Sequence, residues 1–205
     1  MDFSSRDPAA AAFWDERYAA GFTPWDQGGV PPALLRALAA RPPWQARVLV
    51  PGCGSGHEIA ALAAAGAQVV GIDISVAGLQ QAARVLPPEL AQAALREADF
   101  FTLAESPFDW IYERAFLVAL PPARWADWAR RVAQLLPAGG MLAGLFVIEP
   151  VLPAPRRGPP FVTTLAELHD LLDTAFDLRE DLPIDAAESL PVFAGRERWL
   201  RWQRR

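Results

Sequence analysis

Apolar and polar positions along this chain change period several times, and the changes mark out alternating strands and helices. The apolar run Val48-Leu-Val-Pro51 reads as a strand buried on both faces, and it empties into Gly52-Cys-Gly-Ser-Gly56. Glu58–Ala65, rich in alanine and leucine and followed by Gly66, predicts a helix with a glycine C-cap. Gln68–Ile74 follows as a second strand. Val76–Leu86 predicts a helix capped by Ser75 and stopped by Pro87-Pro88, and Ala93–Ala98 a third strand. The rhythm continues with strand Phe108–Tyr112, amphipathic helix Ala123–Leu136 and strand Gly140–Ile148. Helix Thr164–Phe176, with Thr164 and Glu167 as a capping box, and strands Asp177–Leu182 and Arg198–Gln203 complete it. Alternation of this kind predicts an α/β layer fold around a mainly parallel sheet.

Two segments fall outside the rhythm. Ala9–Ala20 predicts a helix but leads into Gly21-Phe-Thr-Pro-Trp-Asp-Gln-Gly-Gly29, where aromatic and turn residues are mixed. Glu149–Pro160 is proline-rich and runs into Gly158-Pro-Pro-Phe161. Both are expected to be lid or rim segments, since functional contacts concentrate on irregular elements carried by a rigid sheet.

Composition narrows the classes. With 205 residues, 52% hydrophobic and 21% charged, the chain suits one globular domain, and no window is apolar for long enough to cross a bilayer. The start shows no basic region followed by an apolar core, so a cytoplasmic protein is expected, and one of bacterial origin. All 19 basic residues are arginine, yet the net charge is −5 and five arginines crowd into 196–205, which argues against a general nucleic-acid surface. Cys53 is the only cysteine and reads as a small residue packed under the glycine turn rather than a nucleophile. His57-Glu58 would open a zinc-protease helix, but position 61 is Ala61 and the only other histidine is His169, so no metal site is expected.

Ligands of open α/β sheets bind beyond the C-terminal ends of the strands. Gly52, Gly54 and Gly56 would let the backbone turn tightly and approach a ligand closely. Asp73 follows Gly52 by 21 residues at the end of the second strand, placed to accept from ribose hydroxyls. Asp99 and Phe100 end the third strand and would hold a base. The three ends occur in the order one adenosine moiety requires. A dinucleotide fingerprint is Gly-x-Gly-x-x-Gly, whereas the third glycine here comes one place early, which favours S-adenosylmethionine over NAD. An NAD(P)-dependent oxidoreductase and a non-catalytic cofactor sensor stay open on these residues alone.

Thr23-Pro-Trp-Asp-Gln-Gly28, Leu49-Val-Pro-Gly-Cys-Gly-Ser-Gly-His-Glu58, Val70-Gly-Ile-Asp-Ile-Ser75, Asp99-Phe-Phe101, Phe108-Asp-Trp-Ile-Tyr-Glu-Arg114 and Gly158-Pro-Pro-Phe161 together resemble the thiopurine S-methyltransferase family, including its thiol and halide branch. The resemblance implies a three-layer, Rossmann-like class I methyltransferase fold with a mainly parallel seven-stranded sheet whose last strand is antiparallel. It implies a single domain over 1–205, with 1–45 as a lid over the cofactor and 149–163 as a rim loop. Carried over by position, Trp14, Tyr18 and Trp25 would wall the methionine end of S-adenosylmethionine. Gly52, Cys53, Gly54 and Gly56 would contact its amino-acid moiety, Asp73 with Ile74 the ribose, and Asp99 with Phe100 the adenine. Glu113 and Arg114 would complete the cofactor site. Phe22, Trp25 and Phe161, with Arg114 as polar anchor, would face the acceptor. The implied reaction is methyl transfer to a small soft nucleophile, a thiol, thiopurine or halide, releasing S-adenosylhomocysteine. A monomer is expected, with a small-molecule substrate and neither a nucleic-acid nor a membrane partner.

Overall fold

The computed structural model describes residues 2–43, 45–105, 107–153 and 155–205. Trp44, within the expected lid segment, and Ala154, within the expected rim loop, lie outside the described residues. The seven strands form one sheet in the order β3-β2-β1-β4-β5-β7-β6, six of them parallel and the last, β7, antiparallel, as expected. The chain divides into two compact units, Met1–Ala104 and Glu105–Arg205.

The first unit carries helices α1 (Ala11–Ala19), α2 (Pro32–Ala40), α3 (His57–Ala64), α4 (Val76–Val85) and α5 (Pro88–Ala94), and strands β1 (Arg47–Pro51), β2 (Gln68–Asp73) and β3 (Leu95–Glu97). β1 and β2 run parallel with Val48 opposite Val69 and Pro51 opposite Ile72; β3 pairs with the end of β2, Asp73 opposite Glu97. Val48, Leu49 and Ile72 of the strands are buried with Leu34, Ile59 and Leu62 of the helices. Strands covered on both faces carry such unbroken apolar runs.

Two helices go beyond the sequence pattern. Pro87-Pro88, expected only to end a helix, also opens α5, which shortens the third strand to Leu95–Glu97. Pro31-Pro32 opens α2 in the same way, and Pro121-Pro122 opens a 3-10 turn at Pro122–Arg124. Proline at the first helical position loses no hydrogen bond, because that amide has no partner within the helix, and its φ is already helical.

The second unit holds β4 (Trp110–Arg114), a 3-10 turn at Leu117–Ala119, α6 (Trp125–Leu135), β5 (Met141–Val147), α7 (Leu165–Leu172), β6 (Phe176–Pro183) and β7 (Glu197–Arg204). β4 and β5 are parallel, Glu113 facing Gly144 and Arg114 facing Leu145. α6 buries Trp125, Trp128, Ala129, Val132 and Leu135, one stripe at helical spacing. The expected capping box of α7 forms: Thr164 Oγ1 accepts from the Glu167 amide, and Glu167 accepts from that of Thr164. On the antiparallel β6–β7 pair, Arg198 meets Asp181 at 2.7 Å, Arg201 meets Glu180 at 2.9 Å and Arg205 meets Asp177 at 2.8 Å. Three of the five C-terminal arginines are thereby matched by acids of the neighbouring strand.

Candidate active site

The glycine turn of the first unit is left-handed at all three glycines, φ being +59° at Gly52, +50° at Gly54 and +74° at Gly56. L side chains avoid that region, so the sequence gives the backbone a path that residues with side chains resist. Beneath the turn Asp73 is buried, with Oδ2 accepting from the Gly54 amide at 3.1 Å and Oδ1 from the Ser75 amide at 2.8 Å. Burial raises its carboxyl above the ordinary range, and the amides of Ser75, Gly54 and Ile74 oppose that rise. Ile74 is half-buried beside it. The Ala98 amide donates to the Asp73 carbonyl at 3.1 Å, which brings the chain entering Asp99 alongside the end of β2.

Three aromatic rings gather on this turn. Trp25 stands edge-on to both Trp14, at 5.4 Å between centroids, and Tyr18, at 5.8 Å, and its Nε1 donates to Tyr18 Oη at 3.4 Å. Tyr18 lies so close to the glycines that a Cβ added at Gly54 would stand 2.5 Å from its hydroxyl, and one at Gly78 would stand 2.9 Å from its ring. Burial, then the Asp73 charge, pushes the Tyr18 phenol up. The structure thus brings Trp14, Tyr18, Trp25, Gly54 and Asp73 together. Phe22 lies apart from that group: its ring, 44% exposed, pairs with Phe3 at 5.6 Å. Asp99 is exposed and accepts from the Phe101 amide at 2.9 Å, while Phe100 is buried edge-on to Phe101.

Several polar neighbours of this group have no local mark in the sequence. Asp15 on α1 accepts from Ser75 Oγ at 2.7 Å and from the Ala77 amide at 3.0 Å, pinning α1 to the start of α4. Asp26, inside the Thr23–Gly28 motif, accepts from Ser55 Oγ and from the Gly28 amide and lies 3.6 Å from His57 Nε2. Gln81 Nε2 donates to the same Ser55 hydroxyl at 3.1 Å. Only membership of a quoted motif marks Asp26, and nothing local marks Asp15. Cys53 is buried, with Sγ against Gly71, and burial together with the charges of Asp73 and Glu58 raises its thiol well above the ordinary range.

In the second unit Glu113, buried, accepts at Oε1 from the amides of Phe116 and Leu117, both at 2.9 Å. Arg114 ends β4, and Ala115 after it is left-handed at φ +60°. The rim loop is fastened at several points. Phe161 donates its amide to the Val118 carbonyl at 2.7 Å and folds its ring over Gly158; Glu149 pairs with Arg196, and Arg156 with Glu167 at 2.7 Å. Among the described residues no group of three or more His, Cys, Asp or Glu side chains is arranged to hold a metal, and no helix is long and apolar enough to cross a membrane.

The family described as Thiopurine S-methyltransferase (TPMT) matches residues 9–205. The chain belongs to the thiopurine S-methyltransferase family. It is 33% identical over 198 residues to a thiopurine S-methyltransferase of Xanthomonas campestris, covering 88% of this chain and 90% of that one. It is 30% identical to thiocyanate methyltransferase 1 of Brassica oleracea, with 93% and 84% covered, and 32% identical to a probable thiol methyltransferase 2 of Arabidopsis thaliana, with 78% and 70% covered. The fold is shared with a Burkholderia thailandensis 1,6-didemethyltoxoflavin-N1-methyltransferase holding S-adenosylhomocysteine, at TM-score 0.73 and 16% identity over 100% of this chain and 93% of that one. It is shared likewise with the magnesium protoporphyrin IX methyltransferase of Synechocystis, holding the same product, at TM-score 0.73 and 18% identity over 97% and 100%. As a thiopurine S-methyltransferase family member the chain is an S-adenosylmethionine-dependent methyltransferase. Its first unit brings a glycine-rich turn, a buried carboxylate and a group of aromatic rings together.

Proposed function

We propose that this chain transfers the methyl group of S-adenosylmethionine to a small soft nucleophile, a thiol, a thiopurine or an anion such as thiocyanate or a halide. The observation that carries the reading is Asp73, hydrogen-bonded to Gly54 beneath the Trp14–Tyr18–Trp25 group. The names of the relatives, which include thiol, thiocyanate and thiopurine methyltransferases, support the acceptor class.

The cofactor supplies an electrophilic methyl on a sulfonium. Trp14, Tyr18 and Trp25 offer ring faces to that cation, a contact worth about 2 kcal/mol when desolvated. The turn at Gly52, Cys53, Gly54 and Gly56 packs against the amino-acid end, Asp73 and Ile74 meet the ribose, and Asp99 meets the adenine edge, with Phe100 as buried support. Trp25 also offers an apolar edge to the acceptor, and Arg114 and Phe161 are the candidate acceptor residues of the second unit. Positioning and exclusion of water lower the barrier to displacement by a soft nucleophile. The enzyme works as a cytoplasmic monomer, and the pairing of Arg198, Arg201 and Arg205 with acids supports the absence of a nucleic-acid partner.

Calorimetric titration with S-adenosylhomocysteine, followed by a methyl-transfer screen over thiols, thiopurines, thiocyanate and halides, tests the reading. Binding with turnover is expected. Binding without turnover on any of these acceptors overturns the acceptor class, and absence of binding overturns the cofactor site.

A further inference from the structure

Trp25 is carried on a loop, and its own ring contacts are with α1. The ring stands edge-on to Trp14 and Tyr18, and Nε1 meets Tyr18 Oη at 3.4 Å, near the outer limit of a hydrogen bond. The next residue reaches the glycine turn instead. Asp26 Oδ2 accepts from the Ser55 hydroxyl, and Oδ1 accepts from the Gly28 amide at 2.8 Å. Ser55 stands between the left-handed Gly54 and Gly56, so whatever it holds moves with the turn. Gln81 on α4 sets the direction of these bonds. Its Nε2 donates to Ser55 Oγ at 3.1 Å, and since an amide nitrogen cannot accept, the serine hydrogen is left for Asp26. His57 Nε2 lies 3.6 Å from Asp26 Oδ1, beyond hydrogen-bond reach, so the hold rests on Ser55. The Asp26 side chain is only 14% exposed, and water competes poorly for a bond so placed. At Gly21, Gly28 and Gly29 nothing lies within 4 Å of an added Cβ, so packing at the ends of the segment does not place the ring.

We infer that Asp26 is a positioning residue for recognition of the cofactor's sulfonium: through Ser55 it holds Trp25 at the turn, and the ring then favours the charged cofactor over its neutral product. The inference rests on the cofactor reading above, in which Trp25 meets the cation. S-Adenosylmethionine and S-adenosylhomocysteine differ at one sulfur, a methylated sulfonium in the first and a thioether in the second. A ring face attracts the cation and not the thioether, so the placing of the ring is read in the ratio of the two affinities. Damage to the turn itself weakens both ligands alike. The same preference lets product give way to fresh cofactor after each turnover.

Calorimetric titration with each ligand, without acceptor, of the wild type, Asp26→Ala, Asp26→Asn, Trp25→Ala and the Asp26→Ala/Trp25→Ala double variant tests the assignment. Asp26→Ala and Trp25→Ala are each expected to lower the affinity ratio of S-adenosylmethionine to S-adenosylhomocysteine by about tenfold, within the range of a cation–π contact. The double variant should lose no more than the larger single loss, because the two residues act as one. Asparagine keeps an oxygen for the Ser55 hydroxyl while dropping the charge, and should hold the ratio within about twofold of wild type. An unchanged ratio in Asp26→Ala overturns the inference, whether neither affinity moves or both fall equally, the latter marking a structural role in the turn. Additive losses in the double variant overturn it, since Asp26 then acts without Trp25. An asparagine variant as impaired as the alanine one overturns it too, because it marks a direct effect of the charge. If Asp26→Ala fails to fold, Ser55→Ala removes the same bond from its other end: the ratio must fall by about tenfold, and an unchanged ratio overturns the inference. Failure of the underlying reading is separately visible. A wild type that binds neither ligand falls on the cofactor site, and an unchanged ratio in Trp25→Ala alone falls on the aromatic group, each taking this assignment with it.

Discussion

Because both oxygens of Asp73 already accept from backbone amides, replacing the residue removes ligand contacts and turn support together. Asp73→Ala is expected to weaken S-adenosylhomocysteine binding by roughly 1–3 kcal/mol, the range for charged hydrogen bonds, as read by calorimetry. Glu113 has an opposite stake in stability. Its folded carboxyl titrates at about 7 against 4.5 for the ordinary group, so the fold prefers the protonated form. Its contribution is therefore most favourable below about 4.5 and is lost as pH rises to about 7. Between pH 4 and pH 8 the wild type should lose on the order of 3 kcal/mol relative to Glu113→Gln in urea unfolding. The glycines and Asp73 are legible in the sequence because a strand, a turn and a helix fix their places locally. Asp15 is not, since it meets Ser75 and Ala77 across 60 and 62 positions and no local pattern records such a pairing.

Elements are punctuated here by paired prolines, and that is where sequence and structure part. In the sequence Pro87-Pro88 reads as a stop, yet the pairs at 31–32, 87–88 and 121–122 each begin a helical turn. A missing amide is harmful inside a helix and harmless at its first position, so identical residues end one element or open the next according to the helix propensity of the segment beyond them. α1 is held by Asp15, which also serves the first turn of α4. Asp15→Ala is expected to lower stability by about 1–2 kcal/mol in thermal unfolding, the range for a lost helix cap, and to speed tryptic cleavage after Arg17. The turn before β7 runs the other way. Ala194 is left-handed at φ +50°, so Ala194→Gly should raise stability by about 0.5–1 kcal/mol in the same measurement.

At the scale of the whole molecule the expected species is a monomer, and light scattering after size exclusion should return a mass of 22.3 kDa. The crowded arginines of the C-terminus look in the sequence like a basic tail, and the antiparallel pairing of β6 with β7 puts an acid beside three of them. That pairing is a property of the sheet, invisible until the strands are laid side by side. Cys53 has a consequence of its own for an enzyme that handles sulfur. A protein exposed to small thiols and their oxidised forms would ordinarily risk mixed disulfides, or methylation of its own cysteine. Here the only internal sulfhydryl is shut under the glycine turn and held in its unreactive protonated form. The folded enzyme can therefore work among disulfides without being captured by them, and it should remain silent to a thiol-titrating dye until it is denatured.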